Sequence, residues 1–260
     1  MEAFGEALVM EPYLATVFGS LAVSKGAAPQ LKQAVLPAVV EGRMKLALAA
    51  SEPGSRFNLK EIKTFAKKSG DQWSLQGEKS GVVGAPLADR IVVTAASDGG
   101  LQLFIAEAKA LRLSPYRTLD DLSAASIVLD GVKAEPLHGG LALLEEIIDF
   151  GTAVVCAEAV GAMKFACDTT LEYLKTRKQF GVPIGTFQAL QHRMVDMVIS
   201  YEQAKSMACL ACSKMDSSES AKERARAISA AKIRVADAAR HVSQESVQLH
   251  GGMGMSEELK

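Results

Sequence analysis

The stretch Arg177–Gln191, RKQFGVPIGTFQALQ, constrains this chain more than any other. It joins two long runs of helical apolar spacing through a turn rich in Gly and Pro, so the chain must double back there. Upstream, Leu141–Thr176 places Leu144, Ile147, Ile148, Val154, Val155, Ala159 and Met163 along one broad face. Downstream, Thr186–Met215 carries Leu190, Met194, Met197, Val198 and Met207 at a period of about 3.6 residues. A polar loop, Asp216–Glu223, follows. Ala225–Leu249 then resumes with Ile228, Ile233, Val235 and Val242, ending at His250-Gly251-Gly252, where glycine can take a left-handed cap. Three long helices make most of an antiparallel bundle. A four-helix bundle needs one more, so the expectation is a chain that stops early.

Residues 1–42 also read as helical, with apolar runs at Ala7–Met10, Tyr13–Phe18 and Leu21–Val23 and helical spacing over Gln30–Val40. Between the two helical parts the period changes. Met44–Ala50 is a short apolar run. Ile62–Lys67 and Trp73–Gln76 flank Ser69-Gly70-Asp71, and Asp89–Ala96 and Leu101–Ala106 flank Asp98-Gly99-Gly100, two hairpin signals. Ser126–Leu129 and Val132–Glu135 read as a third pair of strands joined at Asp130-Gly131. Strands this short and closely spaced predict a small barrel or sandwich over residues 43–136. The division expected is therefore a helical remnant over 1–42, a β-barrel domain over 43–136 and a helical bundle over 137–260, an α+β fold.

Composition excludes several classes of function. The net charge of −1 offers no electrostatic footprint for nucleic acid or an anionic membrane surface. No apolar segment approaches the ~18–20 residues of a membrane span, and the acidic Met1–Gly5 start predicts no secretory leader. All four cysteines, Cys156, Cys167, Cys209 and Cys212, fall in the bundle part. Cys209 and Cys212 have CxxC spacing without a second pair, so the expectation is buried thiols in a reducing, cytoplasmic compartment.

Several residues carry two readings. Arg177 offers a forked cation suited to a pyrophosphate, Phe180 a ring for a flat group and Gln188 an amide. The same residues also make a basic helix end that balances its dipole, with Phe180 plugging the corner. Gln248–Gly254, QLHGGMG, could bring bare backbone close to a ligand or simply cap a helix. Ser51-Glu52-Pro53-Gly54-Ser55 could hold the polar edge of a heterocycle at a strand end, or be a plain turn. His192 and His241 are single helix histidines, read as surface or interface side chains. Glu145, Glu146 and Asp149 share a helix face, an acid–base site or a solvated stripe.

Taken together, the pieces resemble the acyl-CoA dehydrogenase family. RKQFG followed by Gln188, then QLHGGMGM through Glu258, match its bundle motifs in order and spacing. LALAASEPGS resembles its Ser/Thr-Glu-Pro-Gly flavin strand, and LDGVKAEPLHG its exit into the bundle. The resemblance covers nearly the whole chain and is nearest to the bacterial subfamily that includes pimeloyl-CoA dehydrogenase small subunits, here cut short at both ends. It implies an N-terminal helical domain, a central β-barrel and a C-terminal four-helix bundle, with FAD held between barrel and bundle. It further implies an acyl-CoA substrate, α,β-dehydrogenation with electrons passed to electron-transferring flavoprotein, and homo- or hetero-oligomers formed through the bundle. By motif, Arg177, Phe180 and Gln188 would contact the ADP part of FAD. Gln248, Gly251 and Gly252 would contact the neighbouring subunit's FAD, and Ser51 the isoalloxazine edge.

The departures from the family pattern are equally specific. Ser55-Arg56-Phe57-Asn58 follows Gly54, so the family's second Gly and its Asp are missing. Gly81 stands where the family commonly has a tryptophan over the flavin, and Val83 where a polar flavin contact is usual. Gly151, followed by Thr152, occupies the alternative position of the catalytic glutamate, and the usual position lies beyond Lys260. The catalytic base is thus unassigned. Three functions compete: an FAD-dependent dehydrogenase subunit, a non-catalytic or half-site partner subunit, and an unrelated helical interaction module.

Overall fold

The computed structural model describes residues 1–217 and 220–256. It divides into two compact units, residues 10–148 and residues 1–9 with 149–260.

The first unit holds helices α2 (Tyr13–Gly26) and α3 (Pro29–Val40) and strands β1 (Leu46–Ala49), β2 (Phe65–Ser69), β3 (Gln72–Val83), β4 (Arg90–Ser97), β5 (Gly100–Glu107), β6 (Arg112–Arg117) and β7 (Ser123–Leu137). The strands run in the order β1-β4-β2-β3-β7-β5, β6 adds to β7, and β4 pairs β5, which closes the sheet on itself. Closure pairs both sides of β2, β3, β4, β5 and β7, while β1 and β6 each pair on one side. Both predicted hairpins form, with Ser69 opposite Gln72 and Ser97 opposite Gly100. The third does not. Ser126–Glu135 lies within the single long strand β7, because Leu75 pairs Val132 while Gln76 pairs Asp130, leaving Gly131 as an extra residue. Gly131 sits at φ +66, a bulge conformation that glycine accepts without strain, so a sequence signal for a turn marks a kink instead.

The barrel interior is filled by alternate residues: Ile91, Val93 and Ala95 of β4 meet Leu75, Phe104, Ile127 and Leu129. The intervening Val92 is also fully buried, because it packs with Ala22, Val23 and Val35 of α2 and α3 on the outside of the barrel. A strand covered on both faces reads as a continuous apolar run, as IVVTAA does. Each such aliphatic side chain contributes ~1.5–3 kcal/mol by leaving water.

The second unit consists of α1 (Glu2–Glu6), α4 from Asp149 to its end (the whole helix is Gly140–Thr176), a miniature hairpin of β8 (Lys178–Gln179) and β9 (Val182–Pro183), α5 (Gln188–Asp216) and α6 (Ala221–His250). Cys156, Val160, Met163, Cys167 and Leu174 of α4 pack with Met194, Met197, Tyr201 and Ala204 of α5 and with Val235, Ala238 and Val242 of α6. Ser220 caps α6 by accepting from the Glu223 amide, a capping-box spacing inside the polar loop. Helix α1 docks on α4 through two glycines. A side chain on Gly5 would strike the Glu158 carbonyl, and one on Gly161 the Glu2 carbonyl.

The expectation of buried thiols at Cys209 and Cys212 is overturned. Cys156 and Cys167 are buried, but Cys209 and Cys212 are exposed. The buried stripe of α5 runs through Met194, Met197, Tyr201, Ala204, Ala208 and Ala211. Each CxxC residue follows a stripe position by one, about 100° around the helix. Burial pushes the Cys167 thiol up to about 11, with the neighbouring Asp168 adding to it, so that thiol is inert. No helix among the described residues is long and apolar enough to cross a membrane.

Candidate functional site

The Arg177 turn is built as a two-residue hairpin loop. Phe180 and Gly181 adopt φ +54 and +83, the paired positive values of a type I′ turn between β8 and β9. Glycine accepts this freely. A phenylalanine does not, and such outliers cluster where the surroundings or a ligand over-determine the backbone. The turn leaves Phe180 90% exposed, with an edge-on ring contact to Phe187 at 6.1 Å.

Backbone bonds tie the hairpin to the end of α4. The Arg177 amide donates to the Tyr173 carbonyl and the Ile184 amide to the Arg177 carbonyl, each at 2.8 Å. Gln188 opens α5, whose N-cap, Phe187, supplies no side-chain acceptor. Arg177 and Gln188 are both exposed. Among the described residues no hydrogen bond or ion pair engages the Arg177 guanidinium or the Gln188 amide group.

The second motif arrives at the same end of this unit. His250, the last residue of α6, is buried, stacks on Tyr173 at 4.3 Å and takes part in a 2.8 Å bond between its Nδ1 and the Ser246 carbonyl. Tyr173 Oη donates back to the His250 carbonyl, and Thr170 meets Ser246 at 2.8 Å. Tyr173 is therefore the hinge pin: its backbone holds the Arg177 hairpin and its ring holds the QLHGGMG segment. Gln248, Gly251 and Gly252 are exposed beside it, and a Cβ on either glycine would meet nothing within 4 Å. Gly254 is different, since a Cβ there would lie 2.4 Å from the Val247 carbonyl, so it serves packing. Glu258 lies outside the described residues.

In the barrel unit, Ser51 follows β1 with its side chain exposed, and its carbonyl accepts from the Ser80 amide at 3.0 Å. Its neighbour Glu52 is buried. That carboxylate accepts from the Lys63 amide (2.6 Å), the Thr64 amide (3.0 Å) and Lys79 Nζ (2.7 Å). Lys79, fully buried, also donates to Thr94 Oγ1 at 2.8 Å. Burial pushes the Glu52 carboxyl up, but Lys79 and the two donors from Lys63 and Thr64 outweigh it and hold it below the ordinary carboxylate value. Burial drives Lys79 down to about 8 despite Glu52. The sequence reading passed over this pair because Glu52 and Lys79 are 27 residues apart. Beyond Lys79 the register of β3 slips, Gly81 sits at φ +65, and its amide donates to Tyr116 Oη on β6 at 3.1 Å.

Three of the remaining candidates, Asp149, Glu146 and His241, are engaged in structure. Asp149 pairs with Arg224 at 2.9 Å, and Glu146 pairs with Lys25. His241 Nδ1 bonds Ser200 between α5 and α6, whereas His192 is exposed. No group of three or more His, Cys, Asp or Glu suited to a metal occurs among the described residues.

Two family models match the chain: acyl-CoA dehydrogenase, middle domain, over residues 47–132, and acyl-CoA dehydrogenase, C-terminal domain, over residues 138–260. The 3-(aryl)acrylate reductase of Clostridium sporogenes is 31% identical over 88% of this chain and 64% of its own length. The CarC subunit of the caffeyl-CoA reductase–Etf complex of Acetobacterium woodii is 30% identical over 90% of this chain and 65% of its own length. Among solved structures, the FAD complex of PigA superposes with a TM-score of 0.87 at 25% identity, covering 95% of this chain and 68% of that one. The chain thus spans less than two thirds of the two curated relatives. Its barrel and its bundle end each follow one and the same family pattern: this chain belongs to the acyl-CoA dehydrogenase family.

Proposed function

We propose that this chain is a subunit of an FAD-dependent acyl-CoA dehydrogenase, acting on the α,β carbon–carbon bond of an acyl-CoA thioester and exchanging electrons with an electron-transferring flavoprotein. The observation that carries the reading is the convergence of two distant motifs at one end of the helical unit with their polar groups turned outward. Arg177, Phe180, Gln188, Gln248, Gly251 and Gly252 are all exposed there. Their chemistry fits FAD: a guanidinium for the pyrophosphate, an uncapped helix start that favours an anion, a ring for a flat heterocycle and two amides for hydroxyl or ring edges. Gly251 and Gly252 leave room for a ligand to reach the backbone.

Bound FAD supplies the hydride-accepting chemistry; the chain supplies position and electrostatics. Arg177 neutralises phosphate charge, and Gln188 and Gln248 fix orientation. Ser51, in the barrel unit, offers a hydroxyl to the flavin edge. No residue is assigned as base.

The grip at the bundle end acts on a neighbouring subunit's FAD, in an oligomer built through the bundle. Leu171, Val195, Val198 and Ile199 stand exposed on α4 and α5, apolar surface that suits such an assembly. The names of the two curated relatives speak of reductases, one in an Etf complex, which supports an electron-transferring partner and leaves either direction of the same bond chemistry in view. A cytoplasmic location accords with the free cysteines.

A second reading, a half-site partner subunit, draws on the barrel. Glycine at 81 and valine at 83 offer neither ring nor polar group, and the Gly81 amide is already taken by Tyr116. The visible spectrum of the purified protein decides between the two. A flavin band in the chain alone supports the self-sufficient subunit, and a band regained only with a partner chain supports the half-site. Absence of flavin in both preparations, with FAD added, overturns the proposal.

A further inference from the structure

The proposed function makes no use of the most deeply buried charge among the described residues. Lys79 and Glu52 have side chains 0% and 3% exposed, and burying such a pair is costly unless every lone pair and proton is used. Here Lys79 Nζ has two acceptors and the Glu52 carboxylate three donors, and the partners are not scattered. Glu52 gathers the Lys63 and Thr64 amides, which lead into β2. Lys79 gathers Thr94 of β4, whose Oγ1 reaches the Ala49 and Ala50 carbonyls at 3.5 and 3.4 Å. The residue after Ala50 is Ser51, and the Ser51 carbonyl receives the Ser80 amide next to Lys79. One ammonium group therefore ties the end of β1, the entry to β2, the middle of β4 and the bulge of β3.

We propose that the Glu52–Lys79 pair is the positioning device of the flavin-facing edge of the barrel unit, holding the Ser51 strand end and the Ser80–Gly81 bulge in one register. The inference rests on the assignment of Ser51 to the flavin edge. Glu52 and Lys79 are positioning residues, since they act through the backbone they hold. The apolar interior of the barrel could close this site with two aliphatic side chains at lower desolvation cost. A charged pair instead adds directional bonds that fix where four segments meet.

The test compares wild type with Lys79→Met in the full protein and its assembly, by FAD titration and by hydrogen exchange. Lys79→Met should melt cooperatively, weaken FAD binding about tenfold or more, and speed exchange at the Lys63, Thr64 and Ser80 amides beyond the increase that the lost global stability imposes on the β5 amides. Unchanged FAD affinity overturns the proposal, whether or not those amides exchange faster. Arg177→Ala separates this from the functional reading. If Arg177→Ala weakens FAD binding and Lys79→Met does not, only the positioning role falls; if wild type binds no FAD, the functional reading falls.

Should Lys79→Met not fold, wild type is titrated with FAD from one pH unit below to one above the Lys79 value of about 8. Glu52 is the titratable group facing this ammonium and Thr94 the neutral one. Its folded pKa is lowered, so above about 8 the unfolded chain binds more protons and this group makes stability rise with pH. A purely structural role therefore predicts no loss as pH rises. The positioning role predicts FAD affinity falling as the Lys79 ammonium loses its proton, followed by NMR of that group, and a flat affinity across its observed deprotonation overturns it.

Discussion

At the end of the helical unit the Arg177 guanidinium stands exposed with no partner among the described residues, whereas in the barrel unit the Lys79 ammonium is sealed between Glu52 and Thr94. Both are cations beside a predicted cofactor contact. They differ in who completes them. Lys79 is satisfied by its own chain, so removing it harms the fold. Arg177 gains little from its own chain, so removing it should harm only what binds there. The same contrast separates the glycines: Gly77 is pressed against Thr64, while Gly251 and Gly252 face open space.

The largest expected effect tests the sealed side. Lys79→Met strands the Glu52 carboxylate in the barrel and should cost ~3–5 kcal/mol by chemical denaturation. A loss below ~1 kcal/mol would break the comparison, and pairing it with Glu52→Gln should recover part of the loss.

Gly77→Ala sharpens the same corner. Gly77 has φ +145, and a Cβ there would lie 2.7 Å from Thr64 Cα, so backbone must move. The strained conformation alone costs ~1–3 kcal/mol, readable as a lowered melting temperature. Gly252→Ala serves as the counterpart, with no clash to relieve.

Arg177→Ala tests the open side. Stability should stay within ~0.5 kcal/mol of wild type, while FAD retention weakens by the ~1.5–3 kcal/mol of a charged hydrogen bond to phosphate. Equal flavin content in variant and wild type would remove Arg177 from the site.

The smallest effect is a surface control on the bundle. Arg193 and Glu245 pair through two bonds, 2.7 and 3.0 Å, at the α5–α6 contact. Arg193 holds the Glu245 carboxyl below its ordinary value, against a smaller upward push from burial. That contribution is present above the unfolded carboxylate pKa and is lost as pH falls through the lowered folded value. Arg193→Ala should cost ~0.2–1 kcal/mol at neutral pH and nothing in acid, read from unfolding curves at the two pH values.

Much of this was legible in the chain. Helical spacing located α4, α5 and α6 within a few residues, and Gly70-Asp71 and Asp98-Gly99 marked real hairpins. The Arg177 and Gln248 motifs were readable as well, because exposed turns and helix ends depend on short local strings. The failures share one cause. Asp130-Gly131 has the local chemistry of a turn, yet pairing with β3 on either side of it makes a bulge. Cys209 and Cys212 sit among Met, Ala and Leu, yet lie one step off the stripe that α4 and α6 select. Local signals fix what a segment can do, and neighbours from elsewhere in the chain choose among the options.

The sequence by itself determined the order of elements, the two periods and the polar residues exposed at the end of the helical unit, since each depends on neighbours within a few positions. Only the tertiary structure decided which distant groups meet. Tyr173 joins the Arg177 hairpin to His250 across 77 residues, and Lys79 meets Glu52 across 27. Nothing in a local pattern records such a contact, because barrel closure and helix packing bring those residues together and the burial that follows sets their charge.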